Sequence, residues 1–425
     1  MKVVVAQKSS REHFAIARAL HRQGLLALLV ADWYAPRSRF AHLLVNCLPS
    51  RFSQRALAAE APELPPEVVR GLNGFGLWRR IPEAWFRKRG RPLDGYAISG
   101  AMFARKVSTI ALPPHDVFFG YSYDSLEALQ AERTRGILTV VDQVDPGAFE
   151  HDLVLEEAKR WKSYAIPEAQ PPEAYFRRNR LEWQVADVIV VNSEWSQQAL
   201  ISSGALKHKL EVLPLAYEAG VAEPTRRDNH DSGNLRVLWL GTVCLRKGIQ
   251  YLVEAAKRLV SCPIEFLVGG PLHISELAIK EAPRNLRFVG QVSRSQAGTF
   301  YQQGDVFVLP TISDGFALTQ LEAMAHGLPV IVTPNCGRVV EDGATGFIVP
   351  PRDPEALAQA LLRFVRDRNL AAKMAPQCRA AVKAYSIDSL GKQLVAILQK
   401  NLALRNIPVR DYIPLNAASK LTDPY

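Results

Sequence analysis

Short apolar runs that alternate with amphipathic segments, twice over, constrain this chain more than any other feature of it. Residues 2–6, 25–30, 116–119, 137–141, 188–192 and 210–213 are apolar runs of strand length, and residues 14–20, 126–131, 181–186 and 196–202 between them carry helical spacing. Runs with no polar alternation suit strands buried on both faces, as in a parallel sheet whose crossovers are helices. Residues 37–100 break any simple period with Pro and Arg and stay unassigned, apart from a short helix expected at 66–72 with proline in its first turn. A polar stretch at 217–234, around Arg226-Arg-Asp-Asn-His-Asp231, reads as a linker. The alternation then resumes, with strands expected at 236–240, 264–268, 286–289, 306–309 and 330–333 and helices at 250–260, 295–303, 317–325 and 354–364.

The pattern predicts an α/β protein of two Rossmann-like, doubly wound domains facing across a cleft. Residues 1–216 form the first, 217–234 the linker and 235–400 the second, while the proline-bearing tail 401–425 either packs across the first domain or frays. A length of 425 residues suits two cores better than one, and the seam between them is where a ligand would sit.

Composition narrows the function classes. With 48% hydrophobic and 22% charged residues the chain is not a largely disordered one. Its five cysteines (Cys47, Cys244, Cys262, Cys336, Cys378) form no CxxC pair, so neither a disulfide framework nor a zinc cluster is expected, and a reducing cytoplasm fits best. The opening MKVVVAQKSS lacks a cleavable signal's apolar stretch, so the N-terminus is expected to be retained, and no apolar run approaches the roughly 20 residues of a membrane span.

The net charge of +10 is unevenly spread: residues 1–110 hold 18 Lys/Arg against 7 Asp/Glu, whereas residues 111–225 hold 10 against 18. The basic segment includes a run from Leu77 to Arg91 in which Trp78, Trp85 and Phe86 are interspersed with cations. That mixture suits peripheral contact with an anionic membrane, an anionic acceptor, or simply one face over a core.

The chemistry concentrates in DVFVLPTISDGFALTQLEAMAHGLPV at 305–330. A buried strand ends at Pro310, a turn carries Ser313, Asp314 and Gly315, and a helix follows. Free backbone N–H groups at such a turn are a ready site for phosphate or sugar hydroxyls. Asp314 and Glu322 stand eight residues apart, about two helical turns, so each can meet a different end of one ligand. Read without context, Asp314 is an N-cap and Glu322 a solvated helix residue. The second segment is LWLGTVCLRKGI at 238–249, a strand followed by a loop with Arg246 and Lys247 between glycines.

In these motifs the chain resembles the retaining glycosyltransferases of family 4, which share the GT-B fold. The likeness is strongest over 235–362 and extends weakly to EWQVADVIVVNS at 182–193. It implies that Asp314, in place of the family's first glutamate, contacts the transferred sugar, that the Gly315 and Phe316 amides, with Ala317 following, touch its hydroxyls, and that Glu322 binds the nucleotide ribose. Asp is one methylene shorter than Glu, about 1.5 Å less reach. The 238–249 segment is similar to the family's G-R-x4-K-G loop: Gly241 matches the first glycine and Lys247 the lysine that meets the donor diphosphate. Thr242 stands where the arginine would be, leaving Arg246 to supply the missing cation. Fixed cations there favour departure of a diphosphate that gains negative charge.

The resemblance thus implies a nucleoside-diphosphate sugar as donor substrate, no other cofactor, a carbohydrate or lipid-linked acceptor, retention, and a role in polysaccharide or glycoconjugate biosynthesis. No D-x-D spacing occurs, so no metal site is expected. The family's histidine after a first-domain strand is replaced by Asp142, which with Gln143 and Asp145 either contacts the acceptor or builds a turn. Glu182 and Asp187 are expected to cap or pair locally, and His326 to face its own helix end. These features predict a cytoplasmic protein, peripheral at the inner face of the membrane, with no nucleic-acid partner. Two rivals remain in view: a nicotinamide-dependent oxidoreductase, for which no G-x-G-x-x-G follows any expected strand, and a non-catalytic basic protein that binds membrane or nucleic acid.

Overall fold

The computed structural model describes residues 1–34, 60–167, 172–218 and 233–405. In chain order the first half contains β1 (Val3–Gln7), α1 (Ala15–Arg22), β2 (Leu26–Ala31), β3 (Val69–Gly71), α2 (Asn73–Trp78), α3 (Arg80–Lys88), α4 (Pro92–Thr109), β4 (Val117–Tyr121), α5 (Leu126–Thr134), β5 (Leu138–Gln143), α6 (Ala148–Arg160), α7 (Glu173–Val185), β6 (Val188–Val191), α8 (Glu194–Ser202) and β7 (Leu210–Val212). The second half contains β8 (Leu235–Leu240), α9 (Ile249–Arg258), β9 (Ile264–Gly269), α10 (Glu276–Lys280), β10 (Leu286–Gly290), α11 (Arg294–Gln302), β11 (Val306–Leu309), α12 (Thr319–Ala325), β12 (Val330–Val332), β13 (Gly346–Ile348), α13 (Pro354–Arg366), α14 (Leu370–Val382) and α15 (Ile387–Arg405).

Each half is a parallel sheet between helical layers, with strand orders β3-β2-β1-β4-β5-β6-β7 and β10-β9-β8-β11-β12-β13. Strands such as β6 and β11 are buried along their whole length, which is why their sequences are unbroken apolar runs. In both sheets the order reverses beside the first strand, between β1 and β4 and between β8 and β11. Loops leaving the carboxyl ends of strands at such a reversal diverge and leave a crevice. The architecture is thus the expected pair of doubly wound domains.

Three local expectations are corrected. Residues 66–72 form only a single 3-10 turn, Pro66–Val68, because the chain then pairs with β2 as strand β3, Leu29 opposite Val69. The helix expected from 317 starts at Thr319, because Ala317 sits in the left-handed region at φ 64°. Residues 387–400, assigned by sequence to the second domain, belong to α15, which packs on the first: Leu390, Leu394 and Leu398 are buried in one core with Ile16, Ala19 and Leu20 of α1. Their spacing of four places all three on one stripe of the helix. Most of the expected linker (219–232) and of the tail (406–425) lies outside the described residues.

The halves interlock through α6. Tyr164, just beyond it, is buried in the second domain's core. The buried Glu157 accepts hydrogen bonds from Gln250 Nε2 (2.9 Å) and the Tyr251 hydroxyl (2.8 Å), and its other oxygen lies 2.7 Å from Arg352 Nε.

Candidate active site

The site is built where the loops after β8 and β11 meet, at the reversal of the second sheet. Gly248 has φ 74°, and a Cβ on it would lie 1.8 Å from the Pro310 carbonyl oxygen. Only glycine allows this approach. The loops are then tied by Arg246, whose carbonyl accepts from Ile312 N (2.9 Å) and the Thr311 hydroxyl (3.0 Å). Gly241 serves the same packing, since a Cβ on Gly270 would meet its carbonyl oxygen at 1.7 Å, and its own N–H donates to Gly269 O (3.0 Å).

This geometry brings Arg246 and Lys247 to the same carboxylate. Lys247 Nζ donates to Asp314 Oδ2, and an Arg246 guanidinium nitrogen lies 3.9 Å from that oxygen while donating to Ser313 O at 3.1 Å. Asp314 N is held by Asn335 O at 2.9 Å. The amides of Gly315 and Phe316 donate to no protein group among the described residues. Burial, and after it the neighbouring charge of Arg246, pushes the Lys247 ammonium down to about 8. A pair of cations crowded against one carboxylate is a place where an anion would be stabilised.

Glu322 lies further along, on α12, accepting a hydrogen bond from the Tyr301 hydroxyl (2.7 Å). His326 does face its own helix end, with Nδ1 2.8 Å from Glu322 O, and its ring stacks on Tyr301 at 5.2 Å.

The first domain supplies the opposite wall with residues that sequence reasoning missed. Glu150, in the first turn of α6, lies 3.4 Å from Arg246 and accepts from the Ser313 hydroxyl at 2.8 Å; burial raises its carboxyl above the usual range. Trp195 Nε1 donates to Ser313 Oγ (2.9 Å), and Ser193 Oγ donates to Gly315 O while capping α8. A Cβ on Gly315 would lie 2.7 Å from Asn192 Nδ2, so glycine there lets the domains touch. The only sequence hint of these was the serine ending the weakly similar segment at 182–193.

Asp142 is not joined to this cluster: among the described residues no side-chain bond links it to Lys247 or Asp314. It is buried at the end of β5, where burial and then the charge of Glu12 push it to about 8. Its neighbours build a turn: Asp145 Oδ1 accepts from Gly147 N (2.9 Å) and the Tyr123 hydroxyl (3.0 Å), and Gln143 Oε1 accepts from Asn179 and Trp183 at 2.8 Å each. Glu182 corrects the expectation of local pairing. It accepts from Tyr123 N (2.6 Å) and Ser125 N (2.9 Å), more than fifty residues away, and burial raises it to about 7.

Two doubly wound parallel-sheet domains meeting at a seam, with a cationic loop and a carboxylate there, make the GT-B fold. The second domain is a group 1 glycosyltransferase domain: residues 234–367 match the family model described as "Glycosyl transferases group 1". The chain is 28% identical over 239 residues to D-inositol 3-phosphate glycosyltransferase of Corynebacterium urealyticum, covering 50% of this chain and 56% of that one. It is 28% identical over 237 residues to the capsular polysaccharide biosynthesis glycosyltransferase CapM of Staphylococcus aureus, covering 51% and 60%. The chain thus spans little more than half the length of these curated relatives. Among solved structures, sucrose-phosphate synthase of Thermosynechococcus elongatus shares the fold with a TM-score of 0.60 at 18% identity, over 95% of this chain and 100% of that one. HepE of Anabaena, solved with UDP and glucose, aligns with a TM-score of 0.57 at 16% identity over 94% and 100%.

Proposed function

We propose that this chain is a glycosyltransferase that moves a sugar from a nucleoside-diphosphate sugar to a carbohydrate or lipid-linked acceptor, with retention, in polysaccharide or glycoconjugate biosynthesis. The observation that carries this reading is the convergence of Arg246 and Lys247 on Asp314, beside the open amides of Gly315 and Phe316. Those cations would receive the diphosphate, taking the place Asp314 now occupies beside Lys247. Asp314 and the amides would hold the sugar, and Glu322 the ribose. In the transfer the acceptor oxygen bonds the anomeric carbon as the bond from that carbon to the phosphate oxygen breaks, and the acceptor's proton leaves with the diphosphate. Relatives of the same fold support the donor class: HepE has been solved with UDP-glucose, and a solved trehalose-6-phosphate synthase is described as transferring with retention. The test is a panel of nucleoside diphosphates scored by thermal stabilisation, followed by transfer assays with the matching sugar donors. Absence of stabilisation by every member would overturn the reading.

In this reading two fixed cations do the work of a divalent ion, and no cofactor joins the donor. Transfer is therefore expected to persist in excess chelator; a strict requirement for magnesium or manganese would contradict it.

The reading also includes a cytoplasmic setting at the inner face of the membrane. No described helix is long and apolar enough to cross a bilayer. Helices α2 and α3 nevertheless expose Leu77, Trp78, Ile81 and Trp85, at 49–65%, among exposed Arg80, Arg87, Lys88, Arg89 and Arg91. Arg79 is excluded from this surface because it is buried against Asp32 and Glu83. Neutralising the five exposed cations is expected to weaken binding to anionic vesicles by roughly 1 kcal/mol each at most, with nucleotide binding unchanged. Unaltered vesicle binding would assign the run a structural role.

A further inference from the structure

Beside the donor loops lies a cavity of about 470 Å³ between the domains, within the usual size range of small-molecule sites. Tyr123, Asp145, Gly147, Glu150 and Arg246 form part of its lining, and the remainder has no role described above. Along α6 it meets Glu150 and His151 first, then Val154 and Leu155, then Ala158. These positions recur at helical spacing on one face, so over eight residues, about 12 Å, the wall changes from charged to apolar. Its polar end is fixed at the donor site, because Glu150 lies 3.4 Å from Arg246, which also lines the cavity. Tyr175, Phe176 and Leu93 continue the apolar wall, Tyr175 being stacked on Tyr123 at 4.2 Å.

Leu93 connects this wall to the surface. It lies in the first turn of α4, which packs so closely on α3 that a Cβ on Gly95 would be 2.8 Å from Glu83 Cα. Helix α3 carries the exposed Ile81 and Trp85, with the Arg89 guanidinium 3.4 Å over the Trp85 ring. An apolar wall, a charged end at the reacting groups and a cationic aromatic surface next to the wall fit one kind of molecule.

We infer that this cavity is the acceptor site and that the acceptor is lipid-linked: a hydroxyl-bearing head that reaches Glu150 and Arg246, on a hydrocarbon chain that lies along Val154, Leu155 and Ala158 towards Leu93. The inference rests on the donor site proposed above. The chain's apolar surface supplies affinity at about 0.8 kcal/mol per buried methylene, and the cations at the surface suit the anionic face of a membrane that holds such an acceptor. A wholly polar acceptor would leave the apolar wall facing water.

Octyl β-glucoside, below its micelle concentration, and methyl β-glucoside are the probes, titrated calorimetrically into the full chain. Octyl glucoside is expected to bind at least about tenfold more tightly, since burying two methylenes already suffices. Ala158→Phe, which fills the cavity, and Leu155→Gln, which makes its wall polar, are each expected to remove that advantage. Stabilisation by the best nucleoside diphosphate shows that each variant is folded with its donor loops intact. Equal binding of the two glucosides to the native chain would overturn the inference, as would an octyl preference that survives in a folded variant. If no diphosphate stabilises the native chain while the octyl preference follows the substitutions, the donor reading falls and the cavity assignment stands; circular dichroism then reports folding of the variants.

Discussion

Lys247→Ala is expected to slow sugar transfer by about 10²- to 10³-fold at saturating donor, the scale for removing one preorganised group that stabilises developing charge. The ammonium is held rigidly, by a loop that Gly248 packs against Pro310, and is largely stripped of water. Arg246 cannot replace it, because its guanidinium is committed to Ser313 O and faces Glu150. A pH readout accompanies the rate. With the ammonium pushed down to about 8, Lys247 carries its charge below that pH and loses it above, so affinity for nucleoside diphosphate falls as pH rises through about 8. Lys247→Arg keeps the charge throughout and is expected to flatten the profile. Near-normal turnover of the alanine variant would remove Lys247 from the diphosphate site.

The second large effect separates the two carboxylates. Asp314→Asn is expected to depress transfer by about 10- to 100-fold, the range for losing a hydrogen bond to a charged group, while bare nucleotide still binds. Freed from Asp314, Lys247 has no carboxylate partner among the described residues, so nucleoside diphosphate affinity is held or rises. Glu322→Ala, eight residues on, removes the proposed ribose contact and is expected to weaken nucleotide binding itself by a similar factor. Titrating both variants with nucleoside diphosphate before assaying transfer distinguishes the roles. Equal loss of nucleotide affinity in the two, or full transfer by Asp314→Asn, would show that the motif has been assigned wrongly.

The sheets were legible because burial on both faces writes itself into consecutive residues: β6, β11 and β12 are uninterrupted apolar runs. Edge strand β3 was not, since two of its three residues are exposed and its pairing comes from β2, some forty residues earlier. Helices α2 and α3 were hidden by Pro82, two glycines and a surface of arginine and tryptophan that buries only Gly76. In the site, local order in sequence revealed the loops but not their partners. Arg246 and Lys247 were adjacent, yet whether both could reach Asp314 depended on the approach of Gly248 to Pro310, a contact 62 residues apart in numbering (310 − 248). Glu150 and Trp195 had no signal of their own, because their roles arise only when the domains meet.

The return of α15 to the first domain means that the polypeptide crosses the seam twice, once after Glu218 and once before Ile387. Both crossings are fastened to one side chain: the Arg22 guanidinium reaches Glu218 at 2.8 Å and Asp388 at 3.2 Å, and also holds Glu63 at 2.9 Å. Two straps tied near one point join the domains at one corner, like a purse clasp riveted there. The seam bonds of Glu157, Ser193 and Trp195 lie on the jaws of that clasp, so any parting of the two domains there breaks them.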